Sequence, residues 1–164
     1  MRLIGVISDT HLTRDNDIAV LDQIAAGPFA DVDMILHAGD LVDRGIFDLA
    51  FPDIPFQAVA GNMDFGALAT SLPSVDVIRV ERARIGLIHG HGLTGEFPAN
   101  LREQFRDVKA IVFGHSHVPY CAVHDGVLYF NPGSPIFPRG GHAPSVGLLT
   151  VNGDRIEGRH VVIA

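Results

Sequence analysis

FQAVAGNMD (Phe56–Asp64) is the stretch on which the reading of the chain turns. An apolar β-type run stops at a glycine, and a primary amide, a thioether and a carboxylate follow at once. Four other segments repeat this grammar of run, tight turn and polar donor: ISDTH (7–11), LHAGD (36–40), LIHGH (87–91) and VFGHSH (112–117). The runs behind them are RLIGVIS (2–8), DMILHAG (33–39), RIGLIHG (84–90) and KAIVFGH (109–115). Short, continuously apolar runs suit strands covered on both faces, as in α/β folds. In open α/β sheets ligands bind outside the carboxyl ends of the strands. Polar side chains far apart in sequence are therefore expected to converge on one point.

The segments between the runs complete the fold class. Helical spacing marks 17–26, a shorter piece at 44–50, and 97–106, where Pro98 suits a first turn. VDVIRVERARIGLI, YCAVHDGVLYFN and VGLLTVNGDRIEGRHVVI alternate with period two, with hairpin signals at Asp125-Gly126 and Asn152-Gly153. Parallel βαβ units come first and antiparallel hairpins follow. This many strands in 164 residues predicts an α/β fold of two sheets packed face to face with outer helices. One domain, 1–164, is expected, without repeats or linkers, large enough to bury about two-thirds of its unfolded surface.

The composition excludes several functions. Hydrophobic residues make up 47% and charged residues 19%, an ordinary soluble balance. A formal charge of −7 gives no global basic field for a nucleic-acid polymer, although bound cations reverse the sign locally. The first apolar run is too short for a signal peptide or a membrane span, so a cytoplasmic protein is expected. A single cysteine, Cys121, allows no internal disulfide and no Cys-based zinc site, and its strand pattern predicts a packed thiol.

Five of the nine histidines, His11, His89, His91, His115 and His117, fall in three tight clusters at these strand ends. Taken singly, each cluster has an ordinary explanation: an Asp after a strand caps a helix, paired histidines sit in an exposed turn, and Asn62 stabilises its own turn. His37, His124, His142 and His160 stand outside the clusters and read as ordinary polar or strand positions. Five strand ends in succession bearing oxygen and nitrogen donors form a stronger pattern. Aspartates, imidazoles and an amide without a thiolate suit borderline to hard divalent ions. About eight donor contacts exceed the needs of one tetrahedral ion, so two ions sharing a carboxylate are expected. With Asp9 and Asp40 the site then carries about +2, which favours a phosphate ester. Asn62 contributes oxygen without cancelling charge. A mononuclear zinc amidohydrolase explains neither Asn62 nor a shared Asp40.

DTH, GD, GN-x-D, HGH and GHSH, in this order, resemble the calcineurin-like metallophosphoesterase superfamily. The length and the NPGS at Asn131–Ser134 are similar to its small bacterial and archaeal phosphodiesterase branch, which includes the retromer scaffold subunit. The resemblance spans Ile4 to about Arg139. It implies a four-layer sandwich of two mixed β-sheets flanked by helices, and a phosphodiesterase acting on small phosphate esters through a metal-bridging hydroxide. It further implies that Asp9, His11, Asp40 and His117 hold one ion, and that Asp40, bridging, with Asn62, His89 and His115 holds the other. Manganese is favoured, with iron, zinc, nickel or cobalt admissible. His91 would contact substrate or support the ligands, and Asp64 would orient its neighbours. Many superfamily members carry a proton-donating histidine at the position of Met63, and a thioether has no proton to give. Aryl diesters are then expected to react faster than alkyl ones, with His91 or a bound water as stand-in donor. Arg14, Arg44 and Arg139 follow the motifs closely enough to reach a phosphate, although a solvated surface position is the better explanation of each. The branch also admits homo-oligomers. The rival reading is a non-catalytic scaffold with FPDIPF (51–56) as a docking strip, although a buried connection explains that stretch too.

Overall fold

The structure is a computed structural model that describes residues 1–13 and 15–163, with the side chains of 15–17 also outside the description. Ten strands form two five-stranded mixed sheets. In the first, β1 (Arg2–Ile7) pairs in parallel with β2 (Met34–His37), and β2 with β3 (Phe56–Ala58). The hairpin β9 (Ser145–Asn152) and β10 (Arg155–Val162) completes the order β10-β9-β1-β2-β3. In the second, β5 (Ala83–Ile88), β6 (Ala110–Val112) and β8 (Val127–Asn131) run parallel, with β4 (Val75–Val80) and β7 (Tyr120–His124) antiparallel at the edges.

Side-chain alternation sorts the apolar residues into three layers, which makes the stack four layers deep. Ile4, Val6, Leu36, Ile85, Leu87, Val112, Phe130 and Leu149 fill the space between the sheets. The opposite positions of the first sheet, Ile7 and Ile35 among them, meet Leu21 and Ile24 of α1 (Asp15–Ala26) and Phe47 of α2 (Arg44–Ala50). Those of the second sheet, Ile88, Ile111 and Tyr129, meet Leu101 of α4 (Ala99–Arg102) and Phe105. A strand buried on both faces has no polar side to show, hence the unbroken apolar runs.

Several local expectations are revised. The helix expected over 97–106 is one turn, 99–102, with Pro98 as its N-cap. Beyond it the backbone tightens into i→i+3 bonds from Gln104 to Leu101 and from Phe105 to Arg102, which turn the Phe105 ring into the core. A short α3 (Gly66–Ser71) was not expected, having no side-chain cap and no buried residue to mark it. In the last hairpin Asn152 is the final paired residue, opposite Arg155, so Gly153 and Asp154 make the turn. Cys121 is exposed on edge strand β7 rather than packed. FPDIPF is anchored through Phe51, buried 4.7 Å from the Phe47 ring.

Candidate metal centre

The carboxyl ends of β1, β2, β3, β5 and β6 all lie along one end of the sandwich, and the loops leaving them interlock. Gly114 N–H donates to the His89 carbonyl at 3.1 Å, and Asp9 N–H to the Gly39 carbonyl at 3.0 Å. Bonds also cross between the sheets, among them His115 N–H to Asp9 Oδ2 at 3.0 Å and His89 Nδ1 to the Ala38 carbonyl at 2.7 Å. The turns are sharp enough that Asp9, His11, Asp40, His115 and His117 all adopt positive φ, between 44° and 67°. Left-handed backbone costs a non-glycine residue of the order of 1 kcal/mol, and such outliers gather where function over-determines the chain. Two of the glycines serve a different need, close approach. A Cβ on Gly61 would lie 2.1 Å from Asp40 Oδ1, and one on Gly114 would lie 2.0 Å from Ser8 Oγ.

The two aspartates are built alike. Asp9 Oδ2 accepts from the Ser8 hydroxyl at 2.7 Å and from His115 N–H, while its Oδ1 points inward. Asp40 Oδ1 accepts from Met63 N–H at 2.7 Å, while its Oδ2 points inward. The free Asp9 oxygen lies 3.3 Å from His117 Nε2 and 3.9 Å from His89 Nε2, and the free Asp40 oxygen lies 3.3 Å from His89 Nε2 and 3.6 Å from His11 Nε2. Two triads result, Asp9–His11–His117 and Asp9–Asp40–His89, each with its donor atoms within 4.8 Å of one another.

The remaining expected ligands stand at the rim. Asn62 Oδ1 is 3.0 Å from His89 Nε2. The His115 ring centre lies 5.2 Å from that of His89, and His91 5.4 Å from it, both side chains exposed and outside the two triads. Asp64 touches no donor of the triads. It accepts from the backbone N–H groups of Asp40, Val42 and Gly61 and so ties the GD turn to the GN turn.

Divalent ions fit this donor set. Asp9 Oδ1 is fully buried and lacks any hydrogen-bond partner among the described residues. Leaving such an atom unpaired costs several kcal/mol, about, unless a cation meets it. His89 and His117 each direct Nδ1 at a carbonyl, Ala38 and Phe137 respectively, which turns Nε2 toward the aspartates in the manner of metal-ligating histidines. Burial pushes the Asp9 carboxyl up to about 6, against the pull of His89. Burial also holds His11, His115 and His117 below the usual imidazole range, which keeps their nitrogens free to coordinate. His89 goes the other way: burial disfavours its charge, but the hydrogen bond and charge of Asp40, with Asp9, outweigh it. Its Nε2 faces both aspartates, where a cation would sit, so ion binding competes with protonation there.

The supporting shell contains residues to which the sequence assigned no role in the site. His37, buried and held neutral by burial with a pKa of about 3, accepts from Gly39 N–H at 3.2 Å and meets Thr10 Oγ1 at 3.0 Å beneath the Asp40 turn. Ser134 of NPGS donates to the Asp9 carbonyl at 2.8 Å, and Asn131 donates to the Gly114 carbonyl at 2.9 Å. Of the three arginines weighed, Arg44 is engaged with Asp48 at 2.8 Å and lies over the Phe56 ring. Arg139 lines a cavity beside the centre. Arg14 lies outside the described residues.

The chain is similar to known proteins over its length. The family model of the calcineurin-like phosphoesterase superfamily domain matches residues 1–154. The chain is 35% identical to a "Probable metallophosphoesterase" of Methanothermobacter thermautotrophicus over 94% of its own length and 89% of that protein. A shorter match, 38% identical over 44% of this chain and 37% of the relative, is to the phosphodiesterase YfcE of Escherichia coli. Among solved structures, Vps29 of Chaetomium thermophilum superposes with a TM-score of 0.75 at 25% identity, covering 98% of this chain and 97% of that one. The chain belongs to the calcineurin-like phosphoesterase superfamily. Its fold and its cluster of divalent-ion donors are those of a metal-dependent phosphoesterase.

Proposed function

We propose that the protein is a phosphodiesterase for small phosphate esters, working at a two-ion centre for which manganese is the favoured metal. The observation that carries this reading is the pair of aspartates, each with one oxygen fixed by protein donors and the other aimed between two histidine groups. In this reading Asp9, His11, Asp40 and His117 hold one ion, and Asp40, as the bridge, holds the second with Asn62, His89 and His115. Divalent ions, when bound, supply Lewis-acid neutralisation of the phosphoryl oxygens and activation of water.

The chain's own residues do the rest. Asp64 and His37 set the Asp40 turn, and Ser8 and Ser134 fix Asp9. His91, exposed at the rim with its ring 5.4 Å from that of His89, would contact substrate or support the ligands. Position 63 contributes through its backbone N–H, since the thioether offers no proton for a leaving oxygen. General acid help is typically worth about 10²–10⁴-fold, so esters with good leaving groups are the expected substrates. The likeness to YfcE, named a phosphodiesterase, supports diesters over monoesters. The likeness to Vps29 suits a scaffold as well, but a scaffold has no need to keep a competent donor at every ligand position. The test is a panel of aryl and alkyl diesters and aryl monoesters, assayed with manganese before and after chelation. Aryl diesters are expected to turn over fastest and only with metal; preference for monoesters, or turnover after chelation, would refute the proposal.

A further inference from the structure

The geometry points to the cavity beside His11 and His117 as the subsite for one arm of the ester, shaped for a flat aromatic arm whose phosphoryl group faces Arg139. This rests on the phosphodiesterase reading and adds to it the class of substrate. The cavity, about 510 Å³, opens against the first triad and is lined by His11, Thr13, His117, Phe137, Pro138 and Arg139. Its walls are planar. The His11 and His117 rings stack at 5.1 Å, and Phe137 meets His11 edge-on at 5.6 Å and 82°. Phe137 nevertheless leaves 47% of its surface open, so much of a large aromatic side chain stands uncovered beside the metal centre. A second aromatic ring is the partner that such a face takes best, in offset or edge-to-face contact.

The strap that carries these residues is tied to the centre. Ser134 Oγ donates to the Asp9 carbonyl and accepts from Phe137 N–H at 2.8 Å. The Phe137 carbonyl accepts from His117 Nδ1 at 2.6 Å, and Arg139 N–H donates to the His117 carbonyl at 3.2 Å. An arm resting on Phe137 is therefore held in fixed register with the ligands. Arg139 has no ion pair among the described residues, and its charge acts on His11, His115 and His117 alike. Its guanidinium is placed to take phosphoryl oxygens through charge-assisted hydrogen bonds. The cleft on the other side, by His115 and Phe97, is about 140 Å³ and offers no arginine or lysine, so the bulkier arm belongs beside Phe137.

Phenylphosphonate, cyclohexylphosphonate and methylphosphonate test this without a leaving group. Each is measured as a competitive inhibitor of the manganese-loaded enzyme, and as a ligand of the chelated enzyme through amide NMR shifts at 137 and 139. Phenylphosphonate is expected to bind about tenfold more tightly than either of the others, the span of one aromatic contact. Phe137→Ala should bring that preference below about threefold, Phe137→Tyr should keep it, and Arg139→Gln should weaken all three phosphonates alike. Equal binding of the phenyl and cyclohexyl compounds, or a preference unchanged in Phe137→Ala, overturns the proposal. Failure of every diester to turn over would instead refute the phosphodiesterase reading, and the NMR comparison would still decide the subsite.

Discussion

At the scale of single residues, much of this centre is built from groups that never touch an ion or a substrate. Asp64 is the clearest case: three backbone N–H groups from two loops meet on one buried carboxylate. Asp64→Ala leaves those donors unpaired, and a loss of about 3 kcal/mol is expected in urea unfolding of the chelated protein. His37 supplies a pH signature. Burial holds its pKa near 3, whereas the unfolded chain takes up the proton near 6.5. The unfolded state thus binds more protons between those values, and stability falls as pH drops from 6.5 toward 3. The slope is about 1.4 kcal/mol per pH unit for this group. The stability advantage of wild type over His37→Gln should shrink by about 2 kcal/mol between pH 6.5 and 4.5, with parallel curves as the contrary result. Met63 works through its backbone N–H, which alanine also has. Met63→Ala should keep kcat/KM for an aryl diester within about threefold, far less than the cost of removing a general acid; loss of most activity on every ester would show that the thioether matters.

The elements are where sequence and structure agree best and also where they part. The five runs that end in donors stand out because strands covered on both faces leave no polar face to blur the pattern. The helix at 44–50 matches its prediction because Asp43 caps it, accepting from Ile46 N–H at 3.0 Å. Helix α3 was illegible: six residues without cap or buried face carry no periodicity to read. His37 fills the strand position expected of it, as the last residue of β2, but nothing local showed that it also props the neighbouring loop. Gly39, before Asp40, takes the left-handed backbone itself with φ 96°, whereas Gly61 and Gly114, before Asn62 and His115, are small because carboxylate and hydroxyl oxygens press against them. Gly61→Ala should therefore displace Asp40 while the sheets stay intact. The expected outcome is a far-UV circular dichroism spectrum like wild type with manganese affinity reduced at least about tenfold; unchanged affinity would show that Asp40 is not held this way.

At the scale of the whole molecule, two sheets stacked through one apolar layer bring five parallel strand ends to a common rim. The site belongs to neither sheet alone. Asp9, Asp40 and Asn62 follow strands of the first sheet, and His89 and His115 follow strands of the second. No helix among the described residues is long and apolar enough to cross a membrane. Because the candidate ligands come from both sheets, ion binding should also stabilise the sandwich by mass action, with metal affinity rising as Asp9 and His89 lose their protons. Turnover of an aryl diester by chelated protein, followed while manganese is added in measured equivalents, tests the two-ion centre most directly. The account predicts no rate without metal and a plateau at two ions per chain. A plateau at one ion, or a rate that needs none, would contradict it.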